Sequence, residues 1–176
     1  MTTPATSPGN VDGIRIVPTG EEHVEGFHAA VDVVARERRY LGLVEAPPLE
    51  ASRAFVQAVQ AGGGVHLVAV AEDGAVVGWC DIHRSEREGF RHVGHVGMGL
   101  LPAYRERGLG RRLMEAALAK GWESGMERIE LEVFASNPRA IALYEKLGFV
   151  TEGVKRRARK LDGRYDDNVQ MALLRE

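Results

Sequence analysis

The chain of 176 residues holds a single cysteine, Cys80, so it can form no internal disulfide. That fits a reducing compartment. No stretch approaches the ~18 consecutive apolar residues that a membrane-spanning helix needs. The opening MTTPATSPGN is polar and has no apolar centre. It therefore reads as a mobile tail over residues 1–10 and not as a signal peptide, which makes the cytoplasm the default location. Net charge is −2, so no overall field gathers nucleic acid or anionic membrane. The basic run KRRARK at 155–160 lacks interleaved aromatic rings for base stacking. As a strand it divides, with Lys155, Arg157 and Arg159 on one face, and it reads as a solvated hairpin. No G-x-x-x-x-G-K-[ST] string is present. A dinucleotide fingerprint also fails, because Pro102 stands where its last glycine belongs. Cys80, His83, His92 and His95 have tempting metal spacings. Strand residues three apart face opposite sides, however, so no metal site is expected.

What is present is the composition of an ordinary globular protein, 44% apolar and 27% charged, with one domain expected over residues 11–176. Residues 13–17 alternate as a short strand. Residues 21–39 read as a helix with Val24, Phe27, Val31 and Val34 on one face. A second helix spans 49–61 and stops at three glycines. Three strand-like runs follow, the first two joined through Asp73-Gly74, a tight-hairpin signal. Leu113, Met114, Ala117, Leu118 and Gly121 mark the next helix, and RIELEVF at 128–134 the next strand. Asn137, Pro138 and Gly148 punctuate a short helix as cap, first residue and left-handed stop. Two last strands turn through Asp162-Gly163. The order β-αα-βββ-α-β-α-ββ is an α/β fold with a mixed sheet.

The segment RERGLGRR at 105–112 places two glycines among four arginines where a helix begins. Glycine lets the backbone adopt unusual angles and approach a ligand closely. The first N–H groups of a helix lack internal partners and sit at the positive end of its dipole. Together these make an anion site suited to phosphate or pyrophosphate.

HVGMGLLPAYRERGLGRRLM resembles the acetyl-CoA signature of the GNAT superfamily of N-acetyltransferases, whose [Q/R]-x-x-G-x-[G/A] core matches Arg105, Glu106, Arg107, Gly108, Leu109 and Gly110. ASNPRAIALYEKLGF is similar to the family's second signature, in which a helix-starting Asn is followed seven residues on by Tyr, here Asn137 and Tyr144. The likeness covers about residues 65–174. It implies a GNAT-like mixed sheet of about seven strands, splayed in the middle and flanked by about four helices, with acetyl-CoA as cosubstrate and no metal. The pyrophosphate would lie on residues 105–111, including Arg111. The pantetheine arm would pair with Met98, Gly99 and Leu100, and Gly97 and Gly99 would let it come close. A homodimer is the family habit.

By the same resemblance, Tyr144 is the acid that protonates the leaving thiolate, and Asn137 contacts the ligand as well as capping its helix. Glu132, in LEVFASN, matches the glutamate of bacterial acetyltransferases that modify ribosomal-protein N-termini, and Glu130 shares its strand face. His95 is the other candidate base, since histidine titrates near neutrality; Asp81 and His83 share a face of the preceding strand and could join it. A lysine-type amine costs about 4.6 kcal/mol to deprotonate at pH 7, and an α-amine about 1. The acceptor is a peptide or protein N-terminus or a small-molecule amine. A non-catalytic acetyl-CoA sensor is the alternative. The acceptor pocket is expected from the first two helices, the loop at 84–91 and the final hairpin.

Overall fold

A computed structural model of the chain describes residues 11–176; the tail expected at 1–10 lies outside the described residues. Among the described residues the elements are β1 (Arg15–Pro18), α1 (Val24–Arg36), α2 (Leu49–Ala61), β2 (Val65–Val70), β3 (Val76–Arg84), β4 (Val93–Leu100), α3 (Leu109–Glu123), β5 (Arg128–Phe134), α4 (Pro138–Lys146), β6 (Val150–Leu161) and β7 (Arg164–Leu174). This is the order expected from the sequence. The strands form one sheet, β1-β2-β3-β4-β5-β7-β6. Its pairs are antiparallel except β4 with β5, which is parallel.

Each face of the sheet carries a core. On one side Leu109, Leu113, Met114 and Ala117 of α3 pack with Cys80, Ile82 and Ile129 of the strands and with Tyr144 of α4. On the other, Phe27, Val31 and Val34 of α1 and Val56 of α2 pack on Val68, Val70 and Trp79. Each Val, Leu, Ile, Phe or Met side chain among them contributes on the order of 1.5–3 kcal/mol by leaving water. β2 is buried along its whole length because helices cover both its faces.

The turns follow their residue chemistry. Gly74 has φ +86°, and the Asp73 carboxylate accepts a bond from the Ala75 N–H at 3.0 Å. Asp162 and Gly163 both have positive φ, +51° and +73°, which suits the right-handed twist of a two-residue hairpin. Asn137 accepts a bond from the Ala140 N–H at 3.2 Å, Pro138 opens α4, and Gly148 at φ +95° ends it.

Three expectations are modified. The helix expected over 21–39 opens as a 3-10 turn, Glu21–His23, and its α-helical part ends at Arg36; Arg38 has φ +58°. The loop at 84–91 contains a 3-10 turn, Glu88–Phe90. The alternation expected across KRRARK is broken by a bulge between Lys155 and Arg159, where Arg157 has φ +52°. Lys155 then pairs with Glu132, Arg157 and Lys160 lie over Tyr165, and Arg159 lies over Phe134.

Asn137→Ala removes the side-chain acceptor at the start of α4. It is expected to lower unfolding stability by about 1 kcal/mol, and Asn137→Ser to retain most of it. Urea denaturation of both variants checks this; no loss of stability in Asn137→Ala would show that the cap bond contributes nothing.

Candidate active site

The strands β4 and β5 pair over three residues only: Val93, Gly94 and His95 against Arg128, Ile129 and Glu130. Beyond that point β4 continues along β3 to Leu100, while β5 continues along β7 to Phe134. The two strands therefore part in the middle of the sheet. A cleft of about 480 Å³ opens at the far end of the parting.

The motif residues meet there. Met98, Gly99 and Leu100 form one wall, from β4. Glu106, Gly108, Gly110 and Arg111 form the end, at the start of α3. Asn137, Leu143 and Tyr144 form the opposite wall, from α4. Glu106 and Gly108 have φ +59° and +80°, which turns the chain sharply into α3. The first bond of that helix runs from the Arg112 N–H to the Gly108 carbonyl, at 3.1 Å. The N–H groups of Leu109, Gly110 and Arg111 thus have no intrahelical partner. Gly110 packs at ordinary contact distance: a Cβ there would stand 3.4 Å from Leu100 Cδ1 and 3.5 Å from Leu143 Cδ2.

The four arginines divide their work. Arg111 lines the cleft and pairs with Glu115 at 2.7 Å. Arg112 points away, donating to the Ile14 carbonyl at 3.0 Å. Arg107 is exposed and does not line the cleft, and the Leu109 side chain is buried in the core. Arg105 lines the cleft, but its guanidinium donates to the Leu100 carbonyl and to Glu37 and lies over Tyr40. It works as a strut joining the ends of β4 and α1.

Tyr144 is 8% exposed and packs against Phe149. Its hydroxyl has no hydrogen-bond partner among the described residues. Burial pushes that hydroxyl well above the usual phenol range, so it holds its proton at neutral pH.

The candidate bases lie where the strands begin to part. His95 Nδ1 is 3.0 Å from Glu130 Oε1, and its ring stacks on His83 at 5.0 Å between centroids. Glu130 also accepts from Arg128 Nε at 2.8 Å. Glu132 lines the same recess but is paired with Lys155 and accepts from Asn168 at 2.6 Å. The Lys155 bond holds its carboxyl below the usual range, which weakens it as a base.

Gly97 and Gly99 make room for side chains of β3. A Cβ on Gly99 would overlap the Trp79 ring at 2.3 Å, and one on Gly97 would stand 2.8 Å from Asp81 Oδ2. The space the sequence assigned to a ligand is thus used, on this face, by Trp79 and Asp81. Asp81 is 4% exposed, and burial pushes its carboxyl up to about 8. His83 and His95 are cross-strand partners, whereas Cys80 is fully buried on the opposite face. Among the described residues no group of three potential ligands is placed to hold a metal. No helix among them is long and apolar enough to cross a membrane.

The sequence pattern of the "Acetyltransferase (GNAT) family" matches residues 29–149. The chain belongs to the GNAT acetyltransferase family. Membership makes it an acetyl-CoA-dependent acyltransferase. It is 32% identical over 111 residues to the L-amino acid N-acetyltransferase AaaT of Escherichia coli, covering 62% of this chain and 68% of that one. It is 38% identical over 101 residues to the N-alpha-acetyltransferase RimI of Mycobacterium tuberculosis, covering 56% of this chain and 60% of that one. The ribosomal protein bS18-alanine N-acetyltransferase of Escherichia coli matches at 40% over 72 residues, covering 41% of this chain and about half (49%) of that one. A GNAT acetyltransferase from Streptococcus pneumoniae superimposes with TM-score 0.86 at 26% identity, covering 92% of this chain and 99% of that one. The yncA protein of Salmonella typhimurium, solved with acetyl-CoA, shares the fold with TM-score 0.85 at 20% identity, covering 92% of this chain and 93% of that one.

Some GNAT cleft residues carried no usable sequence signal. Tyr40 comes from the loop after α1, where nothing marks it. Nothing in the sequence links Glu37 to its partner Arg105, 68 residues away. Arg139 could have been found from its place in the first turn of α4, beside Asn137.

Asp81 also predicts a pH dependence. In the unfolded chain its carboxyl titrates near ~3.9. Between that value and about 8 the folded protein keeps a proton that the unfolded chain has released. Stability contributed by this group therefore falls as pH rises through that window. Asp81→Asn is expected to raise Tm, by a margin that widens between about pH 5 and pH 8. Calorimetry at several pH values checks this, and a constant margin would contradict it.

Proposed function

We propose that the protein transfers the acetyl group of acetyl-CoA to a primary amine by direct attack in a ternary complex, with Tyr144 as general acid and His95, held by Glu130, as base. The observation that supports this most is the convergence of β4, the α3 N-terminus and Tyr144 on one cleft. The free N–H groups of residues 109–111, beside Arg111, suit a pyrophosphate. The edge of β4 at Met98, Gly99 and Leu100, no longer paired with β5, suits an amide-bearing arm.

Bound there, acetyl-CoA supplies an activated acetyl group as a thioester. The residues supply proton management. An amine reaches the site mainly as ammonium and must lose a proton before it can attack. His95 accepts it, and the Glu130 carboxylate at 3.0 Å stabilises the resulting imidazolium. The leaving sulfur needs a proton at the other end of the site. Tyr144 holds one in an apolar setting, with no competing hydrogen bond. Glu132 is the second reading for the base, because it lines the same recess as His95.

The relatives act on L-amino acids or protein N-termini by their names. For this chain a free amine, on a peptide or a small molecule, is the common denominator. A cytoplasmic setting and a homodimer go with this reading, the first supported by the lone buried Cys80.

Tyr144→Phe is expected to lower kcat by about 100-fold with acetyl-CoA affinity nearly unchanged. Steady-state kinetics with binding calorimetry checks it; unchanged kcat would remove Tyr144 from the mechanism. His95→Gln is expected to abolish the acidic limb of the kcat/KM profile, and Glu132→Gln to leave it in place. The reverse pattern would assign the base to Glu132.

A further inference from the structure

A second cavity, of about 330 Å³, lies on the α1–α2 side of the sheet. Its walls are Phe27, Val31, Leu41, Leu43, Phe55 and Trp79. Met98 lines both this cavity and the acetyl-CoA cleft, so the two share a wall. Against the apolar walls stand two polar side chains, Ser52 and Asp81. Ser52 is already bonded to His28 Nδ1 at 3.1 Å. Asp81 is 4% exposed and makes no hydrogen bond or ion pair with its carboxylate among the described residues.

A buried carboxyl without a hydrogen-bond partner carries a desolvation cost, and the ammonium of a ligand would supply the missing partner. The position fits that use. Asp81 pairs with Gly97 across β3 and β4, and the next pair on the same face is His83 with His95. Asp81 and His95 are therefore diagonal neighbours. Their backbones stand roughly 7–8 Å apart, a span one ammonium between the two side chains can bridge.

Resting on the acetyltransferase reading above, we infer that this cavity is the acceptor pocket and that Asp81 is its ammonium-binding residue, which selects a primary amine borne on an apolar or aromatic body with no carboxylate beside it. The walls carry no cation, so the carboxylate of a free amino acid would meet Asp81 without compensation. A polyamine would leave its further ammonium groups against Phe27, Leu41 and Trp79. An arylalkylamine satisfies both ends: the ring fills the apolar volume and the ammonium neutralises Asp81. An amino acid amide, the minimal form of a peptide N-terminus, has the same local chemistry. The arrival of the ammonium also favours the ionised carboxylate, removing the cost of burying it alone.

The test measures coenzyme A release from acetyl-CoA with 2-phenylethylamine, phenylalanine amide, free phenylalanine and spermidine. The first two are expected to exceed the last two by about tenfold or more in kcat/KM, the scale of one charge-assisted hydrogen bond. A lead for 2-phenylethylamine over the amide assigns a small-molecule acceptor, and the reverse a peptide terminus. Asp81→Asn should lower kcat/KM for the preferred amine by about tenfold or more while leaving acetyl-CoA affinity and thermal unfolding cooperativity intact. Leu43→Arg places a cation on an exposed pocket residue, where folding is not at stake. It should raise activity with free phenylalanine and lower it with 2-phenylethylamine. A preference for free phenylalanine or spermidine in the unaltered protein, or an unchanged ranking in Asp81→Asn, overturns the inference while leaving the acetyltransferase reading in place. Absence of release with every amine, despite saturable acetyl-CoA binding, would overturn both.

Discussion

The structure depends on one interruption in its sheet. β4 and β5 hold each other for three residue pairs and then separate, although both continue as strands. Backbone N–H and C=O groups carry a large penalty when left dry and unpaired. A central strand edge exposed in this way therefore needs another partner, and an extended ligand with amide groups can provide one. Everything else assembles around that gap. α3 brings its unpaired N-terminal amides to one end of it, and α4 brings Tyr144 to its wall.

The two sides of the sheet take different tasks. The α3–α4 side carries the cleft proposed for the acetyl donor, and the α1–α2 side holds the apolar cavity beneath Asp81. β4 serves both, because alternate residues face opposite ways. Arg105 ties these halves together. From the loop before α3 it reaches the Leu100 carbonyl, Glu37 beyond the end of α1 and the ring of Tyr40. A bidentate guanidinium pair of this kind fixes orientation as well as distance. The ends of β4 and α1 are thus held in register across the entrance to the cleft.

Much of this was legible in the sequence because local chemistry and tertiary need agreed. Asn137, Pro138 and Gly148 marked α4 to within a residue, since caps and stops are local events. The glycines of RERGLGRR announced a turn with positive φ, and Gly108 has it. What was not legible required knowledge of neighbours. Arg105 read as an anion ligand, but its guanidinium is taken up by a carbonyl and a carboxylate distant in sequence. Gly97 and Gly99 read as openings for a ligand, yet Trp79 and Asp81 from the adjacent strand occupy that space. Glu132 read as a free base, and a bulge in β6 accompanies its pairing with Lys155. Periodicity shows which face a residue takes, not which partner meets it there.

The most direct measurement is amide hydrogen exchange with and without acetyl-CoA. If the parted strands and the open helix end form the donor site, protection should rise at residues 109–111 and within 98–100, with little change along β1 or β2. Acetyl-CoA binding that leaves those amides unchanged and protects another part of the chain would contradict the account.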